Sequence, residues 1–259
     1  MRPLIAGALL FLSAMVSGSM PSTFSGHWAE IRGHRLYYEI SGSGRPLLLL
    51  HGGGASVSTS FPHQLETFAA HHQIIAPEQV GQGRSPPTPG PLCYTEMMED
   101  TAALLEQLHV RDVDVVGWSD GGILALMLAV RHPHLVHRVV ISGVNISPDG
   151  LLDTEITALR NFDPAESADT EHADEKLRQL WLSAPTAHEL NVDILQRLNK
   201  PVLVLAGDHD VIKLDHTLQI YLALPRAQLS VLPDTGHATF AQRPEWVNPL
   251  VLQFLAKND

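Results

Sequence analysis

The chain has little of several things, and each shortage narrows the reading. One cysteine, Cys93, stands among 259 residues, so no intramolecular disulfide can form. It lies in a Pro-rich loop with no activating neighbour and reads as inert. Positive charge is scarce: 17 Lys and Arg against 28 Asp and Glu give a formal net charge of −11. That balance argues against nucleic acid or anionic lipid as a primary partner. The acidic residues are dispersed, with no acidic tail, as on an ordinary solvated surface. Internal repeats and low-complexity stretches are missing, and PPTPGP at 86–91 reads as a rigid loop. A 44% hydrophobic content is enough for one sizeable core in a single domain.

The longest apolar run, Leu4 to Val16, is shorter than the ~20 residues of a membrane-spanning helix. Met1-Arg2 precedes it and the small residues Ser17-Gly18-Ser19 follow, which is the pattern of a secretory signal peptide over residues 1–19. Cleavage is expected after Gly18 or Ser19, with a secreted or periplasmic product and no membrane association beyond the export signal. No cysteine follows the run to carry a lipid.

Chemistry enters at VDVVGWSDGGILAL. Val113 to Val116 form a buried strand, Ile123 to Val130 continue as an apolar helix, and Gly117, Ser119, Gly121 and Gly122 mark a bend of the G-x-S-x-G kind. Glycines are needed because a Cβ would clash in so sharp a turn. Ser119 Oγ is then exposed above a helix N-terminus, where negative charge is favoured. Upstream, Pro46 to Leu50 is a second buried strand, ending in His51-Gly52-Gly53-Gly54. Such a loop aims backbone N–H groups at an oxygen. Gly53 or Gly54, with Asp120, is the candidate oxyanion hole. His51 reads as a brace for this loop. Downstream, the strand Pro201 to Ala206 runs into Gly207-Asp208-His209-Asp210, and the strand Gln228 to Leu232 leads to Gly236-His237. The order is serine, acid, histidine, each just past a strand end, where a parallel sheet presents its ligand site.

By these motifs the chain resembles an α/β-hydrolase from about Gly26 to its C-terminus. The matching segments are HGGG at 51–54, GWSDGG at 117–122, GDHD at 207–210 and GH at 236–237. The elbow GWSDGG is similar to that of the valacyclovir hydrolase group of esterases. The resemblance implies a catalytic triad of Ser119, Asp210 and His237 acting by acyl transfer. The family pattern Gly-x-x-Asp selects Asp210 over Asp208, which then reads as a turn former. Asp215 suits a helix N-terminus and Asp234 a structural turn. Where many relatives carry Asp-x-x-Gly-x-Gly-x-Ser, this chain has Glu78, and a structural contact between Glu78 and Arg84 is expected.

Asp120 departs from the apolar residue frequent after the nucleophile. It reads either as a carboxylate favoured by the helix dipole or as the receptor for a substrate ammonium, the role of the corresponding aspartate in the valacyclovir hydrolase group. Asp120, Trp118 and Trp181 are the candidate substrate contacts. No cofactor is implied, and no metal: His71, His72, His132, His134 and His137 lack a carboxylate or thiolate companion at convincing spacing.

The expected architecture is α/β, a mainly parallel sheet with helices on both faces and a small helical cap. Trp28 to Ile31 and Leu36 to Ile40 suggest an antiparallel edge hairpin. Helices are expected near Phe61 to His71, Thr95 to Leu108 and Asp120 to His132. The core spans 20–145 and 199–259. The cap, at 146–198, has helix patterns near Leu151 to Asn161, Glu171 to Leu182 and Ala187 to Arg197. The expected function is hydrolysis of small-molecule carboxylic esters, amino esters or lactones among them. A C–C hydrolase of vinylogous diketones and a catalytically silent binding protein are the alternatives. Oligomeric state is unreadable.

Overall fold

The computed structural model describes residues 24–163, 173–183 and 190–257. The expected signal segment, 1–19, lies outside the described residues.

Eight strands form one sheet: β1 (Ser25–Ile31), β2 (His34–Ser41), β3 (Arg45–Leu50), β4 (His72–Glu78), β5 (Val113–Trp118), β6 (Val136–Ser142), β7 (Val202–Gly207) and β8 (Ala227–Leu232). Their spatial order is β1-β2-β4-β3-β5-β6-β7-β8. The β1–β2 hairpin is antiparallel, and β2 also meets β4 antiparallel. From β4 to β8 every neighbour is parallel.

The apolar runs of the central strands follow from coverage on both faces. In β3, Leu48 and Leu50 point into one core with Met97, Leu105, Ile123 and Met127. Leu47 and Leu49 point into the other with Phe61, Phe68, Phe240 and Phe254. The first core is covered by α3 (Tyr94–Gln107), α4 (Asp120–Arg131) and α8 (Leu214–Ala223). The second lies under α1 (Val57–Ser60), α2 (Leu65–Ala69), α9 (Thr239–Gln242) and α10 (Pro244–Leu255).

One continuous helix from Phe61 to His71 is not formed. The chain makes two short helices, α1 and α2, with Phe61 at φ −126° between them. Pro62 explains the break, since the residue before a proline is pushed out of the helical region.

Between β6 and β7 the chain leaves the sheet and carries a short 3₁₀ turn (Pro148–Gly150), α5 (Asp153–Arg160), α6 (Ala173–Leu182) and α7 (Val192–Leu195). The third helix is only the single turn α7, rather than the longer helix its pattern suggests; residues 184–189 lie outside the described ones. The entry leg of this excursion is tied to the loop after β7. Leu151 bridges Ile212, Leu152 N–H donates to Val211 O at 2.9 Å, and Lys213 N–H donates to Gly150 O at 2.8 Å. His216 Nε2 accepts from Ile146 N–H at 3.0 Å. Among the described residues no helix is long and apolar enough to cross a membrane.

Candidate active site

The site stands at the carboxyl ends of β3, β5, β6 and β7. Ser119 joins β5 to α4 at φ +54°, ψ −122°, a conformation costly for any residue with a side chain. Backbone contacts make it possible. A Cβ on Gly117 would overlap the Gly121 carbonyl, and a Cβ on Gly121 would overlap the carbonyl of Leu50. The glycines therefore let β3, β5 and α4 meet at van der Waals distance.

Ser119 Oγ lies 3.0 Å from His237 Nε2, and His237 Nδ1 lies 2.7 Å from Asp210 Oδ1. Asp210 Oδ1 also accepts from Ile212 N–H at 3.0 Å, which fixes the carboxylate. The sheet thus brings together three residues separated by 91 and 27 positions in the chain. Asp208, by contrast, is turned away and accepts from Thr235 N–H at 3.0 Å, as a turn former does. Burial works against the imidazolium of His237. The Asp210 charge and hydrogen bond outweigh it, Asp120 and Glu155 add to them, and the His237 pKa rises above its ordinary value.

Gly54 N–H donates to Gln82 Oε1 at 2.9 Å, so of the two loop amides only that of Gly53 is left to face an oxyanion. Gly54 is corrected accordingly: its amide is spent on Gln82, a residue sequence reasoning did not single out. Opposite Gly53, Asp120 is the first residue of α4, whose backbone N–H has no carbonyl one turn back to receive it. His51 braces the loop as expected: its ring accepts from Gln79 N–H at 2.9 Å and lies 2.7 Å from Gly52 O, and burial lowers its pKa.

The cavity above Ser119 is lined by Tyr94, Asp120, Leu180, Trp181, Ile212 and His237, among others, and encloses about 20 Å³, room for about one water. Trp181 and Asp120 are thus in place. Trp118 is not: its side chain alternates to the second core, 4% exposed, and its Nε1 donates to His237 O at 2.8 Å. It supports the histidine from beneath. The Asp120 carboxylate is 5% exposed and does not face open space. Tyr94 OH donates to Oδ1 at 2.8 Å, and Trp181 Nε1 is 3.1 Å from both oxygens. Burial raises its pKa, opposed by those two donors and by His237.

Several contributors escaped the sequence reading. Gly143, just past β6 at φ +63°, packs on the His237 ring. Tyr94 opens α3, 26 positions before the residue it holds. Glu155 on α5 is buried and acts electrostatically on His237. The expected Glu78–Arg84 contact is bidentate, at 2.7 and 3.0 Å. Two of the surface histidines do have carboxylate companions, from distant sequence: His132 with Glu99 and His137 with Asp114. Among the described residues, no three His, Cys, Asp or Glu side chains gather as a metal site.

A model of the alpha/beta hydrolase family matches residues 47–250. The chain belongs to the α/β-hydrolase family. A 2-hydroxymuconate semialdehyde hydrolase of Pseudomonas putida is 30% identical over 261 residues, covering 88% of this chain and 92% of the relative. The human serine hydrolase BPHL is 26% identical over 245 residues, covering 87% and 84%, and agrees with the affinity expected from the elbow. Among solved structures, a meta-cleavage product hydrolase of Pseudomonas fluorescens superposes with a TM-score of 0.76 at 22% identity, covering 89% of this chain and 97% of that one. This likeness supports the eight-stranded α/β-hydrolase fold.

Proposed function

We propose that this hydrolase cleaves neutral or cationic carboxylic esters through an acyl-enzyme on Ser119. The observation that carries the reading is the hydrogen-bonded line from Asp210 through His237 to Ser119. His237 Nε2 takes the Ser119 proton as Oγ attacks the carbonyl carbon, and later delivers it to the leaving alcohol. Asp210 holds Nδ1–H toward itself and stabilises the imidazolium. The backbone N–H groups of Gly53 and Asp120 receive the oxyanion. Water then enters by the same route, with His237 as base, and frees the acid. No cofactor is required by these steps.

The preference for neutral or cationic esters follows from charge. His237 has three carboxyl groups acting on it, Asp210, Asp120 and Glu155. Among the described residues lining the cavity there is no lysine or arginine. A substrate carboxylate would enter without a counter-ion, at a cost set by the low dielectric. That weighs against the C–C alternative, since the substrate in the name of the P. putida relative is itself a carboxylate. The segment 146–198 is proposed as the cap, and residues 1–19 as an export signal, for which the mature N-terminus is the check.

The test is a panel of p-nitrophenyl esters with Ser119→Ala as control, beside a vinylogous diketone carboxylate. Ester turnover lost in Ser119→Ala supports the reading. Turnover of the diketone alone would replace it with the C–C hydrolase. No turnover and no labelling of Ser119 by a fluorophosphonate probe would leave a binding protein.

A further inference from the structure

Helix α6 lies directly over the loop amide proposed for the oxyanion. A Cβ built on Gly53 would stand 2.9 Å from Trp181 Cζ2 and would overlap Asp120 Oδ2; one on Gly54 would stand 3.0 Å from Leu177 Cδ1. In this face, Trp181 Nε1 reaches both oxygens of Asp120 at 3.1 Å. The cavity below is narrow, about 20 Å³, room for about one water. Trp181 lines it together with Ser119 and Asp120, so an acyl group at Ser119 meets the indole.

The two donors to Asp120 are not equivalent. Tyr94 is 2% exposed and sits at the start of α3 in the main core, where it has no room to withdraw. Trp181 is half-buried and packs at the margin of a small cluster formed by Leu151, Ile156, Leu159, Val211 and Ile212. When the indole leaves, the tyrosine hydroxyl still holds Oδ1, while Oδ2 loses the Trp181 donor, so parting carries a cost that the returning indole recovers. The pair is thus arranged as one fixed bond and one separable bond.

We propose that the separable bond, Trp181 to Asp120, is the specificity-determining tie of this enzyme and sets the size of acyl group it accepts. A small acyl group lets Trp181 settle back onto Asp120 and close the site over the oxyanion loop. A long one holds the indole away and forfeits the bond at every turnover. This inference rests on the serine esterase reading, and it assigns Asp120 to the closing of the site rather than to gripping a substrate ammonium.

Replacing Trp181 with β-(3-benzothienyl)alanine tests it, because the bicyclic ring stays and sulfur takes the place of the N–H donor. The kcat/KM for p-nitrophenyl octanoate relative to p-nitrophenyl acetate is expected to rise about tenfold, the weight of one hydrogen bond to a charged group. Amide hydrogen exchange over residues 173–183 is expected to quicken. General loosening of the site would lower both esters together and leave their ratio in place. An octanoate-to-acetate ratio within about twofold of the unaltered enzyme overturns the proposal, and so does unchanged exchange. If neither protein hydrolyses any ester, the esterase reading falls, and exchange alone decides the tie: faster exchange sustains it, unchanged exchange rejects it.

Discussion

Gly143 serves as the backstop of His237: a Cβ at this position would lie 2.7 Å from the imidazole Cε1 and 2.8 Å from Nδ1. Its φ of +63° adds a backbone reason for glycine. Gly143→Ala is expected to tilt the ring off the line between Asp210 and Ser119 and to lower kcat by about 10²-fold, the usual consequence of an ångström-scale misplacement. Stability should fall by about 1–2 kcal/mol from the strained φ and the overlap. Steady-state kinetics and urea unfolding measure the two effects separately.

Ser119→Ala should remove about 10⁵–10⁶ of kcat, in line with loss of a triad nucleophile in other serine hydrolases. Thermal unfolding should stay close to that of the unaltered protein, because Oγ makes no contact on which packing depends. A retained rate would point to chemistry that does not pass through Ser119.

Asp210→Asn should cost about 10⁴ in kcat by presenting the wrong partner to Nδ1. Asp208→Asn should cost little, since it holds Thr235 N–H and lies near His209, away from His237. Comparable losses in the two variants would reopen the choice of acid.

The pH profile of kcat/KM should fall on the acid side as His237 gains its proton, with the limb above the ordinary histidine value of about 6.5. The sign follows from charge: each nearby carboxylate favours imidazolium, so the neutral base is reached only at higher pH. Removing one, as in Glu155→Gln, should slide the limb toward lower pH. A limb that stays in place would mean that Glu155 does not act on His237.

Arg84 answers two buried carboxylates, Glu78 and Glu39, with Nη2 at 2.7 and 2.6 Å from them. Arg84→Met should destabilise the fold by about 3 kcal/mol, since it strands charge in the interior. Burial works against the Glu78 anion, but Arg84 outweighs it and lowers the pKa below the ordinary carboxylate value. The stability this supplies is present above the unfolded-state pKa and is lost as pH falls through the lower folded value. In the variant, burial without Arg84 favours neutral Glu78, so this acid-side decline should shrink or reverse. Urea unfolding across the acid range measures both.

Where the sequence spoke clearly, it did so through backbone chemistry. Leu47 to Leu50 and Val202 to Leu205 can be continuous only in a strand covered on both faces, and Gly117 and Gly121 are explained by nothing but close approach. Ser119, Asp210 and His237 drew notice because each follows a strand end, and the family pattern Gly-x-x-Asp chose Asp210 over Asp208. Trp118 was misread because adjacency to the nucleophile says nothing about which face of β5 a side chain takes. Tyr94 and Glu155 were silent because their partners come from other elements. Gly143 follows the apolar run of β6, and only the folded histidine ring reveals its function. Gln82 shows the same limit: no spacing rule connects it to the Gly54 amide.

The hydrogen bonds that fasten Leu151 and Leu152 to Val211 and Ile212 have a consequence for variation. The start of the excursion and the loop bearing Asp210 move as one body, so a change there that reshapes the pocket also re-aims the acid. Among the described residues, helix α6 meets the floor around Ser119 through side chains, Trp181 on Asp120 among them. Diversification of substrate range can therefore proceed on α6 with the Asp210 loop undisturbed, whereas the same experiment on the entry leg is expected to trade selectivity against rate.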